Sequence, residues 1–265
     1  MPLKNLVVVA MVLALACLFP AQSAAAGSPE KQLLELVNQE RAAAQLQPLQ
    51  WDAGLAHAAQ AHALAMAAAH ELSHQLRNEA SLPTRLTSAS SLRMDAEGEN
   101  VAMDVTVESA HQHLMHSPPH RANILDGHFN YAGFAAVWDK GQLWVVEDFA
   151  HAGRDYSTEA AEDLVAKTID TSRAKSRLQP LQHVKLDWLH DVACGMAQAD
   201  GLRTGATTNL SHKYNVITYT QTDPAVLPAS NLPGRPDIHD VSVAVCSART
   251  KTYSSGVYWV IALFY

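Results

Sequence analysis

The chain has 265 residues, enough for one large domain or two small ones. Apolar residues make up 48% of it and charged residues 17%, which is typical of a soluble globular protein. The net charge of −7, with no lysine- or arginine-rich block, argues against a nucleic-acid-binding protein. Aromatic residues make up only 6%, too few for a surface that stacks bases.

The first 26 residues have the pattern of a secretory signal peptide. Lys4 supplies the positive end, residues 6–19 form an apolar run, and Ala24–Ala26 offer the small residues of a cleavage site. The run is short for a membrane span, so we expect cleavage near Ala26 and no transmembrane segment in the mature chain. The predicted location is secreted, periplasmic or extracellular. A lipoprotein signal with Cys17 acylated is the less favoured alternative.

Two helices are predicted at the start of the mature chain. Apolar residues in "LLELV" (33–37) recur at helical spacing. This helix should end near Pro48, because the residue before a proline resists helical torsions. A second helix, rich in alanine, is predicted from about Asp52 to His74.

Three features of the first half return in the same order in the second half. "VNQERAAAQLQPLQ" (37–50) returns as "IDTSRAKSRLQPLQ" (169–182), with about half of the positions identical. A Leu-Ser-His sequence also recurs. The third feature is a pair of β-rich runs, of which the last is "LWVVEDF" (143–149) in one half and "YWVIALF" (258–264) in the other. Three matches in one order indicate a duplicated unit.

The two units, residues 28–153 and residues 154–265, differ in their polar residues. The first contains ten of the fourteen histidines. The second has no counterpart of "GEN" (98–100) or "SPPHR" (117–121), and an alanine replaces Glu147. We therefore predict that the functional site, whether for binding or for catalysis, lies in the first unit. The second unit is predicted to be structural or to contact a protein partner.

Two cysteines, Cys194 and Cys246, remain in the chain once the leader is removed. Both lie in the second unit. An exported protein meets an oxidising compartment, so we favour a disulfide between them. Free buried thiols are the alternative.

Six segments of the first unit together resemble one known family. In chain order they are "LLELVNQERAAAQLQPLQWDAGLAHAAQAHALAMA", "LSH", "GENVA", "LMHSPPHRANIL", "YAGFAAV" and "LWVVEDFA". They resemble the bacterial branch of the CAP superfamily of cysteine-rich secretory proteins, antigen 5 and pathogenesis-related proteins, over about residues 29–151. The resemblance implies an α+β fold, a three-layer α-β-α sandwich around a small antiparallel sheet. The repeat adds a degenerate second copy in tandem.

The resemblance also implies a cleft formed by two histidines and two acidic residues. His74 and His120 match the histidines and Glu99 matches one acid, whereas Ser117 stands where the other acid is usual. Glu147 is a candidate replacement. Imidazoles bind divalent transition metals, so His74 and His120 are candidate ligands for an ion such as zinc. The alternative is that these side chains only hydrogen-bond buried backbone and join the layers.

A second metal motif overlaps the first histidine. "HELSH" (70–74) has the His-Glu-x-x-His spelling that places two imidazoles one helical turn apart in zinc proteases, with Glu71 as the base. The pattern arises readily by chance in a histidine-rich segment, and the second unit keeps only "LSH". We therefore favour the cleft over the protease motif.

The favoured function is an exported binding module whose cleft takes a small molecule, a lipid or a peptide, with or without a divalent metal. Family membership does not decide whether the protein is an enzyme. One alternative is a metal-dependent hydrolase that uses "HELSH" or the cleft. The other is a non-catalytic structural protein of the cell envelope.

Overall fold

A computed structural model describes residues 27–265; the predicted signal peptide and Cys17 lie outside the described residues. The helices are α1 Pro29–Ala43, α2 Ala53–Ala69, α3 Leu82–Ala89, α4 Val107–His116, α5 Pro118–Ile124, α6 Thr158–Lys175, α7 Asp187–Gln198 and α8 Gly205–Ser211. The strands are β1 Gln50–Trp51, β2 Met94–Asp104, β3 Tyr131–Asp139, β4 Gln142–Ala152, β5 Gln182–His183, β6 Asn215–Gln221, β7 Asp240–Ala248 and β8 Val257–Phe264. Among these residues, no helix has the length and apolar character that a membrane span requires.

Each half contains a four-stranded sheet with the same strand order. The first sheet runs β1-β3-β4-β2 and the second runs β5-β7-β8-β6. The three long strands of each sheet are antiparallel, as predicted, but the two-residue strands β1 and β5 pair in parallel. The sheets are therefore mixed rather than purely antiparallel.

Helices cover both faces of the first sheet and so form the predicted three layers. Side chains alternate between the faces of a strand, so neighbouring apolar residues enter different cores. Val101 and Val146 pack against α2, whereas Val145 and Phe149 pack against α1, α4 and α5. This confirms the predicted α-β-α arrangement.

The second helix ends earlier than predicted. Asp52 caps its N-terminus by accepting a hydrogen bond from the Leu55 backbone N–H at 2.8 Å. The helix stops at Ala69, and His70 adopts a left-handed conformation with φ of 50°. High alanine propensity predicted a longer helix, but the left-handed residue turns the chain away. His74 therefore lies in a loop.

A buried arginine repeats in the tertiary structure. Arg41 of α1 and Arg173 of α6 occupy matching positions in the repeated segments, and both are buried. Each donates hydrogen bonds to four backbone carbonyl oxygens. The acceptors are those of Gln47, Ile124, Asp126 and Phe129 for Arg41, and of Gln179, Pro233, Arg235 and Ile238 for Arg173. The shared strand order and these matched contacts support a tandem duplication.

The predicted disulfide is present in the second half. Cys194 of α7 and Cys246 of β7 are bonded, across 52 residues of sequence. The bond links the helix to the sheet on which it packs. The prediction from the sequence is confirmed.

Arginine side chains connect the two halves. Arg93, at the start of β2, donates to the Ser247 hydroxyl at 2.9 Å, and its guanidinium lies 4.2 Å from the centre of the Tyr258 ring. In the other direction, Arg249 donates to the carbonyl oxygens of Thr87 and Ser90, at 2.7 and 2.6 Å. The start of β2 therefore lies at the junction between the halves.

Candidate functional site

The cleft lies over the edge strand of the first sheet. β2 is the last strand in the order, so residues from both helical layers can meet across it. Glu99 and Asn100 are neighbours on β2 and point to opposite faces of the sheet. Glu99 is paired in register with Asp148, and Asn100 with Glu147. One strand thus anchors both walls of the site.

Glu99 holds the first histidine. Its Oε1 lies 2.9 Å from Nδ1 of His74, and its Oε2 forms an ion pair with Arg85 of α3. Arg85 also donates to the His74 carbonyl oxygen at 3.3 Å. Because Glu99 engages Nδ1, the imidazole presents Nε2 to a ligand, as in carboxylate–histidine–metal arrangements. His74 itself remains exposed to solvent.

Asn100 holds the segment that carries the second histidine. Its Nδ2 donates to the His120 carbonyl oxygen at 3.1 Å, and its Oδ1 accepts from Asn123 Nδ2 at 2.9 Å. The preceding prolines, Pro118 and Pro119, start α5 with fixed φ values. The "GEN" and "SPPHR" motifs therefore meet through a buried amide.

The two histidines face one another across the cleft. Their ring centroids lie 6.4 Å apart and the ring planes are tilted by 40°. Partial burial, and then the neighbouring His74, lower the pKa of His120 below its ordinary value. His120 is therefore neutral at pH 7 and has a nitrogen lone pair for a ligand.

The two imidazoles would have to move slightly closer together to share one divalent metal ion. An ion bound at about 2.0–2.1 Å from each nitrogen places two imidazole centroids roughly 5–6 Å apart. The observed separation of 6.4 Å is close to this range. Glu99 is already engaged by His74 and Arg85, so it orients a ligand rather than acting as one. His74 and His120 would leave open coordination positions.

The other two predicted site residues, Ser117 and Glu147, hydrogen-bond to neither imidazole. Ser117 precedes α5 and is half-buried, and its side chain makes no capping hydrogen bond. Glu147 is fully buried, and its Oε2 accepts from Asn100 Nδ2 at 3.0 Å. Glu147 thus contacts the site through Asn100. Its role as a replacement ligand stays a prediction.

"HELSH" does not form a zinc-protease helix. The helix ends before His70, so His70 and His74 do not share a helical face. His70 lies beside the β3–β4 turn, with its Nε2 2.8 Å from Lys140 Nζ. His74 instead contacts Glu99. The helical interpretation of this motif is therefore wrong.

Three residues of the site were not predicted from the sequence. Buried His62 of α2 binds Glu79 through Nδ1 at 2.8 Å and the Ser73 carbonyl oxygen through Nε2 at 2.9 Å. Arg85 joins Glu79 to Glu99, with Nη1 3.1 Å from Glu79 Oε2. These residues belong to no motif and come together only in the fold. The one available signal was His62, a polar residue on the apolar face of α2.

Replacing Glu147 with glutamine should change the pH dependence of stability. Burial raises the pKa of Glu147 to about 7 from 4.5, against the opposing hydrogen bond from Asn100. The folded protein retains a proton that the unfolded chain releases, so stability falls as pH rises through this interval, by roughly 3 kcal/mol. We expect Glu147→Gln to match the wild type near pH 4 and to exceed it by about that amount at pH 8. Urea unfolding at pH 4, 6 and 8 measures this. An equal difference at all three values would contradict it.

The fold and the site together define a class: an α-β-α sandwich whose edge strand carries a histidine–glutamate cleft. A sequence model of the cysteine-rich secretory protein family, CAP, matches residues 34–149. The match covers most of the first half of the chain and supports the CAP family for that half.

Known proteins similar to the chain include several from bacteria. YkwD of Bacillus subtilis is 33% identical over 116 residues, which are 43% of this chain and 44% of YkwD. An extracellular SCP-domain protein of Bacillus anthracis is 27% identical, with a TM-score of 0.43, over 46% of this chain and 40% of that one. A cysteine-rich secretory protein of Staphylococcus aureus is 22% identical, with a TM-score of 0.38, over 46% and 38%. The chain spans less than half the length of each. The identity with YkwD supports the bacterial branch of the family.

Proposed function

We propose that this protein is an exported binding module whose first-half cleft binds a divalent metal and, through it, a small ligand. The observation that carries the proposal is the pair of imidazoles 6.4 Å apart, one oriented by a buried carboxylate. Membership of the CAP family supports an extracellular-type protein, and the predicted leader supports export. The ligand would be a small molecule, a lipid or a peptide.

The surroundings of His120 favour the neutral imidazole that binds a metal. Burial keeps His120 neutral at neutral pH, and Glu99 fixes the tautomer of His74. Two protein ligands leave positions to which a carboxylate, phosphate or carbonyl group of a ligand can bind. A fall in pH protonates the imidazoles and should release the metal.

A metal-dependent hydrolase is the second candidate, favoured by the lowered pKa of His120. In this alternative His74 would hold the metal alone, and the neutral imidazole of His120 would accept a proton from the water bound to it. The second half lacks this cleft and is proposed to contact a protein partner or to serve a structural role.

Zinc titration by calorimetry tests the cleft. The protein should bind one zinc ion at the cleft. We expect His74→Ala and His120→Ala each to lower the affinity for this ion by about tenfold or more, because each removes a direct ligand. His70→Ala is the matched control, since His70 is exposed, lies four residues from His74 and binds Lys140 instead. Assays with peptide and ester substrates on the same variants separate binding from hydrolysis. If the His70 variant loses this zinc while the His120 variant retains it, the cleft assignment is wrong. If none of the proteins binds zinc at the cleft, the structural alternative is favoured.

A further inference from the structure

A second group of metal-ligating side chains lies at the far end of the first sheet. Asp95 of β2, His128 of the α5–β3 loop and His151 of β4 place one ligand atom each within 4.8 Å of one another. Asp95 is four residues from Glu99, roughly 13 Å along the strand. The group is therefore separate from the cleft. We propose that these three residues bind a divalent transition metal ion of the zinc class.

Local backbone features bring the three residues together. The register of β2 and β4 shifts between Met94 and Ala96, so Asp95 is the extra residue of a β-bulge. Bulges turn a side chain away from its regular direction, and here Asp95 reaches the side chain of His151. A turn supports His128, whose backbone N–H donates to Asp126 Oδ1 at 2.8 Å.

Two imidazoles lie against one carboxylate oxygen. His151 Nδ1 hydrogen-bonds Asp95 Oδ1, and His128 Nε2 lies 3.9 Å from the same oxygen. The two imidazole rings are stacked, with centroids 4.1 Å apart and planes 19° from parallel. One carboxylate oxygen and a nitrogen atom from each of two imidazoles therefore lie close together, which is a donor set that a zinc-class ion binds.

A zinc-class ion would bind between the two imidazoles and the carboxylate. It requires neutral imidazoles and an ionised carboxylate, and it supplies the positive charge between them. Ligand atoms around a tetrahedral ion lie roughly 3.3 Å apart, so His128 Nε2 must approach Asp95 Oδ1 from 3.9 Å while His151 Nδ1 moves away from it. The stacked rings must also open from 4.1 Å to the roughly 5–6 Å that separates two imidazoles on one ion. Asp95 and His128 are exposed, which allows this movement and gives the ion access. Three protein ligands leave an open position for water or another ligand.

Neighbouring residues orient the ligands, and one belongs to the second half. Thr222 donates its hydroxyl proton to Asp95 Oδ2 at 3.1 Å, which leaves Oδ1 for the ion. Asn130 pairs with the backbone N–H and carbonyl of Ala152, next to His151, at 3.0 and 2.9 Å. Metal bound by Asp95 would thus also hold the junction between the two halves.

The test is a zinc titration of the purified protein with the cleft removed by His74→Ala and His120→Ala. This cleft-deficient protein should still bind one zinc ion per chain. Asp95→Asn and His151→Gln should each weaken this binding by about tenfold or more, and Thr222→Val by about tenfold, because Thr222 orients a ligand. His113→Gln is the matched control, since His113 is also exposed and bound to one aspartate, Asp104. It should leave this binding unchanged.

Nuclear magnetic resonance of the imidazole nitrogens gives a second readout that needs no substitution at the site. Zinc should shift the resonances of His128 and His151 together at one equivalent. The proposal is overturned if the cleft-deficient protein binds no zinc, or if Asp95→Asn and His151→Gln bind it as tightly as their parent. Because the cleft histidines are absent from this background, its outcome is independent of that of the cleft.

Discussion

Arg85→Ala should lower the free energy of unfolding by about 3–5 kcal/mol, which is the cost of leaving buried charges without their partner. The Arg85 side chain is 8% exposed and forms ion pairs with Glu79 and Glu99, whose side chains are 16% and 2% exposed. Removing the guanidinium leaves these two carboxylates with histidines, His62 and His74, as their remaining ion-pair partners. Exposed ion pairs would cost far less, because solvent screens them.

A third buried carboxyl group lies beside this ion pair. Asp148 lies opposite Glu99 in the sheet, and burial, followed by Glu99, raises its pKa well above the ordinary range, while Arg85 opposes that rise. Arg85 also fixes the position of the Glu99 carboxylate, so without Arg85 that carboxylate holds the His74 imidazole less firmly. We therefore expect the zinc affinity of the cleft to fall by about tenfold as well.

Arg77→Ala is the matched control for this substitution. Arg77 is an exposed arginine eight residues away in the same segment, and surface substitutions usually change stability by about 0.5 kcal/mol or less. Urea unfolding of both variants, with zinc titration at the cleft, measures the two effects. An Arg85→Ala protein within about 1 kcal/mol of the wild type would show that water, rather than Arg85, compensates these carboxylates.

The sequence predicted those parts of the molecule that depend on local pattern. The repeated "RLQPLQ"-type segments and the six family motifs predicted the layered fold, and they led to His74, Glu99 and His120. The disulfide followed from compartment and cysteine count. Each of these inferences depends only on a short stretch of sequence, or on the order of several short segments along the chain.

The parts that were missed depend on contacts between distant segments. Helix propensity extended α2 to His74, whereas the chain turns at His70 in a left-handed conformation. Arg85 and Glu79 are charged residues in a polar segment, and nothing in the local sequence marks them as buried. Only the tertiary fold buries them beside Glu99. A bulge is one extra residue in a pairing register, so the position of Asp95 cannot be read from its own strand.

Arg41→Met should also destabilise the protein severely, by about 4 kcal/mol or more. Arg41 is fully buried, and its guanidinium donates to four carbonyl oxygens at 2.8 to 3.0 Å. Methionine fills much of the volume but leaves these acceptors buried and unpaired. Hydrogen bonds to a charged donor contribute about 1.5–3 kcal/mol each, offset here by the cost of burying the charge. Arg41→Lys should recover little, because an ammonium lacks the fork that reaches several carbonyls.

The position of the acceptors links this stability effect to metal binding. Two of them, the carbonyls of Asp126 and Phe129, flank His128. Losing Arg41 should therefore loosen the loop that contains His128. The affinity for zinc at the site formed by Asp95, His128 and His151 should then fall. Arg173→Met is the matched control, because Arg173 makes the same four contacts in the second half, away from that loop. Both variants should be destabilised in urea, but only Arg41→Met should lose affinity for this zinc. Equal affinity in the two variants would mean that the loop holds His128 without Arg41.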